Sequence, residues 1–180
     1  MTEFPSPTPE KRKRSTYERA LDMLEARARG VAELRRLLIK KGEPEADVDE
    51  AVARLRAAGV LDDANFARQL TRSKALGAGL SRRRIQQELS KRGVARDVSD
   101  EAIGQVFDEE GVDEDASIER VARKKMRMLM KVDSQTRKRR LYAFLARRGY
   151  DADDILRVLR VVLVDVQVDV DADSDGDAET

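Results

Sequence analysis

A threefold internal repeat constrains the fold of this chain more than any other feature of its sequence. Two basic residues followed by glycine occur three times, and the glycines are Gly42, Gly93 and Gly149, at spacings of 51 and 56 residues. A pair of apolar residues four positions apart precedes each of these glycines. Helical units of this length complete their cores by stacking on their neighbours. The sequence therefore predicts three tandem units.

Each unit is predicted to contain three helices, because apolar residues recur at spacings of three and four. Short polar side chains stand where helices should begin, at Asp62, Ser81, Asp115 and Ser134. Glycines that can adopt the left-handed conformation stand where helices should end, at Gly42, Gly59, Gly93 and Gly149. Basic residues before a glycine also favour a helix C-terminus by themselves, but three instances with matching flanks favour true repetition. We predict an all-α, elongated array of three-helix repeats.

The predicted repeats span residues 16–61, 62–112 and 113–164. Residues 1–15 contain three of the four prolines and are expected to form a disordered basic arm. Residues 165–180 are expected to form a disordered acidic tail. Residues 171–176 match the opening of an EF-hand loop, but no glutamate occupies the twelfth position. We interpret the tail as solubilising, with autoinhibition by masking of basic residues as the alternative.

Several classes of site are excluded by composition, because the chain contains no cysteine and no histidine. Zinc and iron–sulfur centres, cysteine nucleophiles and Ser-His-Asp triads depend on these residues. We therefore expect no cofactor and no metal. No apolar run approaches the roughly 18 residues that cross a bilayer, and no apolar stretch follows the N-terminal basic run. A cytoplasmic protein without a membrane partner is expected.

Charge is distributed unevenly along the chain, although the formal net charge is only +1. All 36 lysines and arginines lie between residues 11 and 160, and 26 of the 35 acidic residues lie in the same stretch. This stretch therefore carries an excess of ten positive charges. Such asymmetry predicts an anionic partner.

Basic clusters in the second and third units are the candidate binding residues. Lysine and arginine bind phosphates through charge, and arginine adds bidentate hydrogen bonds. A solvated face is the alternative for any single cluster, but five clusters with few intervening acids favour a surface for DNA, for an acidic protein region, or for both. Arg120, Lys124, Arg127 and Lys131 are expected to share one helix face. The predicted binding residues are Arg82, Arg83, Arg84, Lys91, Arg92, Arg123, Lys124, Lys125, Arg127, Lys131, Arg137, Lys138, Arg139, Arg140, Arg147 and Arg148.

Some residues near these clusters are interpreted as structural. Tyr142, Phe144 and Tyr150 lie close to basic residues, but their helical spacing favours core packing over base stacking. Sequence-specific reading of bases is therefore not expected. Asp62 and Asp63 are interpreted as the start of a helix rather than as metal ligands, because carboxylates satisfy the amides and the dipole of a first turn.

The most distinctive stretch begins Leu61-Asp62-Asp63-Ala64-Asn65-Phe66-Ala67 and continues to Arg84-Ile85-Gln86-Gln87-Glu88-Leu89. Together with Tyr17, Ala20 and Leu21 of the first unit, it resembles the RecX family, and the resemblance covers roughly residues 17–163. Phe66 is expected in the core. Gly30 stands where the family often has serine or threonine, which predicts a weaker helix start. The residues that carry the structural motif are Gly42, Asp62, Asp63, Phe66, Gly93 and Gly149.

The resemblance implies a curved rod of tandem three-helix units with a specific partner. Proteins of this kind bind RecA, preferentially as a filament on single-stranded DNA. They inhibit its ATPase, co-protease and strand-exchange activities in recombination and the SOS response, by capping or dismantling the filament. Members also bind DNA, so single- and double-stranded DNA are expected partners, and the chain is expected to act as a monomer.

Two other function classes remain open at this point. A stand-alone DNA-binding or architectural protein would use the same basic residues without needing RecA. A nuclease would need carboxylates that hold Mg²⁺ beside the basic groove. The acidic residues at 108–110 and 113–115 are interpreted instead as an exposed linker between units, so we expect no enzyme.

Overall fold

The computed structural model describes the backbone of residues 14–174 and the side chains of residues 14–164. Every regular element between residues 14 and 174 is helical, which confirms the predicted all-α class. Within this stretch, none of the helices has the length and apolar character that a membrane span requires. The α-helices are α1 (Thr16–Ala26), α2 (Val31–Lys40), α3 (Glu45–Ala57), α4 (Asp63–Arg72), α5 (Arg82–Lys91), α6 (Arg96–Glu109), α7 (Glu114–Arg127), α8 (Ser134–Arg147) and α9 (Ala152–Ser174).

The chain divides into two compact bodies, and the division lies between Asp62 and Asp63. The first body contains the first unit, α1–α3. A buried carboxylate fastens the turn after α2 to α1: Glu43 accepts a hydrogen bond of 2.6 Å from the hydroxyl of Thr16 and pairs with Arg19. The core of this unit includes Ala20, Leu34, Leu38, Val48 and Leu55.

The second body contains the second and third units, each with its own hydrophobic core. In the second unit a π-helical turn, Ser73–Gly77, follows α4 directly. Phe66 is buried in the second core, as predicted. The second core also includes Ile85, Leu89, Ile103 and Phe107, and the third includes Ile118, Met126, Leu141, Leu145 and Ile155.

A joint of hydrogen bonds connects the second and third units inside this body. The hydroxyl of Tyr150 donates to the carbonyl of Gly79 over 3.2 Å, and the amide of Ser81 donates to the carbonyl of Arg148 over 3.0 Å. Arg83 of α5 donates to the carbonyl of Gly149 over 3.1 Å. The basic-basic-glycine turn of the third unit therefore packs against the start of α5.

The predicted helix starts are confirmed in part. Ser81 caps α5 with its hydroxyl, as expected. The predictions of Asp115 and Ser134 are wrong, because Asp113 caps α7 and Asp133 caps α8. In each case an aspartate further upstream already accepts a first-turn amide, so the helix begins earlier than the later polar residue suggests.

The predicted helix ends are confirmed, and so is the weak start of α2. The glycines at 42, 59, 93 and 149 all have φ between 67° and 92°. Gly30 precedes α2 and, having no side chain, offers no cap hydrogen bond.

The two predicted terminal segments differ in how much of them the structure describes. The backbone of α9 continues to Ser174, so it includes residues 165–174 of the segment that is predicted as a disordered tail. The physical reason is that neither glycine nor proline interrupts the sequence before Gly176. Residues 1–13 of the predicted arm and residues 175–180 of the predicted tail, including the end of the EF-hand-like stretch, lie outside the described residues.

Candidate anion-binding surface

The positive charge of the folded chain is concentrated in the third unit. Residues 16–61 contain nine basic and nine acidic residues, and residues 62–112 also contain nine of each. Residues 113–164 contain fourteen basic and eight acidic residues. Between residues 116 and 150 the imbalance reaches twelve to two. The strongest positive charge of the described residues therefore belongs to α7, α8 and the turns beside them.

Most of the predicted binding residues of the second unit are engaged within the protein. The guanidinium of Arg82 lies 4.0 Å from the ring centre of Phe107 and its Nε lies 3.5 Å from Glu114. Arg83 donates to backbone carbonyls of the third unit. Nε of Arg84 lies 3.7 Å from a carboxylate oxygen of Glu88. These arginines hold structure together, which reduces the charge they offer to a partner.

The two basic residues before Gly93 in the second unit differ in their exposure. Arg92 lies over the ring of Phe66, at 5.8 Å from its centre, and is only partly exposed. Lys91 is exposed at the end of α5. Within this turn, only Lys91 presents its charge fully to solvent.

Several cations of the third unit also have structural roles. The guanidinium of Arg148 lies 3.8 Å from the centre of the Phe144 ring, and the ammonium group of Lys125 lies 5.5 Å from it. Arg148 also donates to the carbonyl of Ala78 over 3.0 Å, and burial lowers the pKa of this arginine. Arg137 donates to two carbonyls of the turn before α8. These three cations therefore make contacts within the protein.

The remaining basic residues of α7, α8 and the turn between them are exposed and form what we call the third-unit basic surface. Arg123 pairs with Glu119 over 4.0 Å. The other members make no hydrogen bond or ion pair with any residue that the structure describes. The surface consists of Arg120, Arg123, Lys124, Arg127, Lys131, Lys138, Arg139, Arg140 and Arg147.

Helix geometry explains why these side chains are exposed together. On α7, Arg120, Lys124 and Arg127 follow one another at spacings of four and three, on the side opposite the buried Ile118 and Ala122. The expectation that Lys131 continues this face is wrong, because α7 ends at Arg127. Lys131 lies in the turn before α8.

The outer side of α8 carries charge of one sign. Arg140 and Arg147 are seven residues apart, so two helical turns place them on the same side. Lys138 and Arg139 occupy adjoining positions, and α8 contains no acidic residue. Arg120 is not among the predicted binding residues, but its exposure and its spacing from Lys124 place it on the third-unit basic surface.

The aromatic residues leave little capacity for base stacking. Tyr150 is buried and Phe144 packs on the third core, which confirms the structural interpretation of both. Tyr142 differs, because it is exposed on α8. The surface thus offers nine cations for phosphate or carboxylate charge and one exposed ring for stacking.

Acidic residues in the described part of the chain form no group of three that is arranged to hold a metal ion. Asp62 directly precedes α4 and Asp63 is its first residue, the positions predicted for a helix start. The chemistry that the third-unit basic surface offers is electrostatic attraction of an anion.

Models of the RecX family match all three units of this chain. The model of the first three-helix domain matches residues 17–55, that of the second matches residues 62–103, and that of the third matches residues 113–159. The chain belongs to the RecX family. The resemblance inferred from the sequence motifs is thereby confirmed.

Named RecX proteins align with most of the chain. Regulatory protein RecX from Amycolatopsis mediterranei (strain U-32) is 39% identical over 142 residues, which cover 79% of each chain. Regulatory protein RecX from Mycobacterium ulcerans (strain Agy99) is 39% identical over 153 residues, covering 82% of this chain and 85% of the relative. The protein of the same name from Mycobacterium tuberculosis (strain ATCC 25177 / H37Ra) is 35% identical over 153 residues, covering 81% and 84%.

Solved RecX structures share the fold. The crystal structure of RecX from Lactobacillus salivarius superposes with a TM-score of 0.62 at 18% identity, covering 83% of this chain and 95% of that one. A second crystal structure, of a regulatory protein RecX, gives a TM-score of 0.62 at 22% identity, covering 79% and 69%. The three-helix units are thus a shared feature of RecX architecture.

Proposed function

We propose that this protein binds the RecA–DNA filament and inhibits the recombinase, ATPase and co-protease activities of RecA in recombination and SOS repair. Its relatives are named regulatory protein RecX, a name that indicates a regulatory role directed at RecA. The observation that carries the proposal is the third-unit basic surface, nine exposed cations on two helices and one turn. A filament on DNA presents phosphates that such a surface attracts.

Electrostatic docking is the proposed mechanism. Each phosphate that the surface neutralises releases a bound counterion, so the affinity should fall by about 0.7 log units per log unit of salt for each phosphate on single-stranded DNA and by about 0.9 on duplex DNA. Arginines add bidentate geometry that lysines lack. Binding through phosphates is independent of sequence, which suits a regulator that must act wherever a filament has formed.

We assign different roles to the two groups of predicted binding residues. Exposed cations of α7 and α8 contact the filament. Arg82, Arg83 and Arg148 position these helices by holding the second and third units together. Replacing a residue of the second group should therefore disturb the fold of the joint before it disturbs contact with DNA.

Docking of this kind needs neither a cofactor nor a chemical step, and we propose that the protein is not an enzyme. Its action as a monomer and its location in the cytoplasm remain predictions from the sequence. Capping of filament ends would require far fewer protein copies than RecA monomers. The number of copies needed for inhibition therefore distinguishes capping from dismantling of the filament.

A stand-alone, sequence-nonspecific DNA-binding protein is the second candidate. The same observation favours it, since a surface with twelve basic and two acidic residues over positions 116–150 attracts DNA whether or not RecA is present. The two candidates differ in what the protein recognises. A filament regulator distinguishes RecA-coated DNA from bare DNA, whereas a DNA-binding protein does not.

The experiment that separates them is a titration of this protein into RecA that is hydrolysing ATP on single-stranded DNA. Affinity for the same oligonucleotide without RecA is measured in parallel. We expect inhibition at protein concentrations far below that of RecA, and below those needed to coat the bare strand. Inhibition that appears only when the bare strand is saturated would support the DNA-binding candidate instead.

A further inference from the structure

The turn between α7 and α8, residues 128–133, exposes two methionines beside the third-unit basic surface. Met128 is 67% exposed and Met130 is 42% exposed. Leu129, between them, is buried in the third core. Exposed side chains of this size, held outward by a buried neighbour, form an apolar spot that phosphates do not require.

Hydrogen bonds give this turn a defined shape. The amide of Val132 donates to the carbonyl of Leu129 over 3.1 Å. The guanidinium of Arg137 donates to the carbonyls of Met130 and Val132, over 3.2 Å and 3.0 Å. Asp133 then caps α8. A partner consequently meets methionines on a preorganised turn, which lowers the entropic cost of docking.

Positive charge flanks the methionines. Arg127 precedes Met128 and Lys131 follows Met130, and both cations are exposed. Asp133 is the only acidic residue between positions 120 and 150. A hydrogen bond from the amide of Thr136 lowers the pKa of Asp133, which commits this carboxylate to the helix cap. The spot is therefore apolar at its centre and cationic at its edge.

In the second unit, the turn that corresponds to residues 128–133 is covered by the third unit. There the connection between the π-helical turn and α5 is covered by the third unit, whose Tyr150 donates to the carbonyl of Gly79 and whose Arg148 donates to that of Ala78. A Cβ atom added to Gly79 would lie 2.4 Å from Val121 of α7. In the third unit no later unit within residues 14–174 follows to cover the matching turn.

We propose that the 128–133 turn docks an acidic protein segment of the filament that carries apolar side chains. Methionines adapt to varied apolar partners, and Arg127 and Lys131 would pair with carboxylates beside them. A second copy of this chain fits less well, because the turn of its first unit has Glu43 where the third unit has Tyr150, and Glu43 is already engaged with Thr16 and Arg19. The inference rests on the proposed function and assigns the protein-contacting part of the site.

The test compares two full-length variants with the wild type. In Met128→Ser/Met130→Ser the apolar spot is removed, and in Met128→Leu/Met130→Leu it is kept. Thermal melting monitored by circular dichroism checks that all three proteins fold. Each is assayed for inhibition of RecA ATPase on single-stranded DNA and for affinity to the bare oligonucleotide.

We expect the serine variant to need at least about tenfold more protein for half-inhibition, because buried apolar anchors dominate protein interfaces. Its affinity for bare DNA should stay within about twofold of the wild type, since serine leaves every cation in place. The leucine variant should inhibit like the wild type.

Four results would overturn the assignment. Normal inhibition by the serine variant would refute the docking site while leaving the proposed function intact. An equal loss of bare-DNA affinity would assign the methionines to DNA. A wild-type oligomer that the serine substitutions convert to a monomer, measured by sedimentation, would assign them to contact between copies. A wild type that never inhibits RecA would refute the proposed function, and this inference with it.

Discussion

At the level of single residues, Gly149 decides how closely the second and third units approach each other. Its φ of 92° lies in the left-handed region. A Cβ atom at this position would lie 2.5 Å from Oγ of Ser81 and 2.5 Å from Cβ of Arg84. The residue is therefore required for its conformation and also for its lack of a side chain.

We predict that Gly149→Ala destabilises the protein more than Gly111→Ala, which serves as the matched control. Gly111 also has a positive φ, of 58°, but a Cβ atom there would meet nothing within 4 Å. The control should cost about 1–2 kcal/mol, the strain of a left-handed alanine. Gly149→Ala should cost about 1–3 kcal/mol more because of the clash. Urea unfolding measures both, and equal losses would contradict the close approach.

Tyr150 fastens the same joint, and its ionisation should weaken it. Burial raises the pKa of this phenol to about 12. The unfolded chain ionises at about pH 10, so between these values the unfolded state loses its proton first. Stability contributed by the neutral phenol is thus fully present below pH 10 and is lost as the pH rises toward 12.

Comparison of the wild type with Tyr150→Phe isolates this effect. Near pH 7 the variant should be less stable by about 1 kcal/mol, because the carbonyl of Gly79 loses its donor. Between pH 10 and pH 12 the difference should shrink, since phenylalanine does not ionise. Thermal melts across this range provide the measurement, and parallel curves would show that Tyr150 titrates normally.

At the level of helices, the start of α8 shows which of two neighbouring polar residues caps the helix. Both Asp133 and Ser134 are good capping residues, and the sequence pattern favoured Ser134. In the structure Oδ1 of Asp133 accepts the amide of Thr136 over 2.8 Å. Arg137 also reaches back to the preceding turn, which fixes where the helix begins.

We predict that Asp133→Ala lowers the melting temperature and that Ser134→Ala has little effect. The hydrogen bonds that lower the pKa of Asp133 stabilise its ionised form in the folded state. The stabilisation is therefore present above the ordinary aspartate pKa and disappears as the pH falls through the lowered value. Melts of both variants at neutral and acidic pH test this, and a larger effect of Ser134→Ala would contradict the assignment of the cap.

Helices and their ends were largely predictable because they depend on local chemistry. The three-and-four spacing of apolar residues and the glycines at 42, 93 and 149 are readable from neighbours along the chain. The caps of α7 and α8 were predicted two residues and one residue too late, because neighbouring polar residues at 113–115 and 133–134 can each accept a first-turn amide. The acidic composition of residues 165–180 predicts disorder, whereas the backbone of α9 extends to Ser174, since neither glycine nor proline precedes Gly176 in this segment.

At the level of the whole molecule, the sequence predicts that the candidate site is positively charged, but not which of its cations are exposed to a partner. The excess of basic residues is visible in the sequence. The helix that carries many of them, α8, is also predictable from the spacing of its apolar residues. The involvement of Arg82, Arg83, Arg137 and Arg148 in internal contacts depends on long-range packing that a local pattern does not reveal. The structure thus separates cations that hold the fold together from cations that are available to a partner.

This separation allows a sharper variant than one that removes every cation of α8. Lys138→Glu/Arg139→Glu/Arg140→Glu reverses three exposed charges and leaves Arg137 to hold the turn. The matched control, Arg36→Glu/Lys40→Glu/Arg56→Glu, reverses three exposed charges in the first unit. Both proteins have the same net charge, so a difference between them reports position rather than total charge.

The most direct measurement is the affinity of these two folded variants for RecA filaments on single-stranded DNA, at one fixed salt concentration. We predict that the α8 variant binds at least about tenfold more weakly than the wild type, since charge-assisted contacts contribute about 1.5–3 kcal/mol each. The first-unit control should bind within about twofold of the wild type. Equal affinities of the two variants would contradict the claim that the third-unit basic surface contacts the filament.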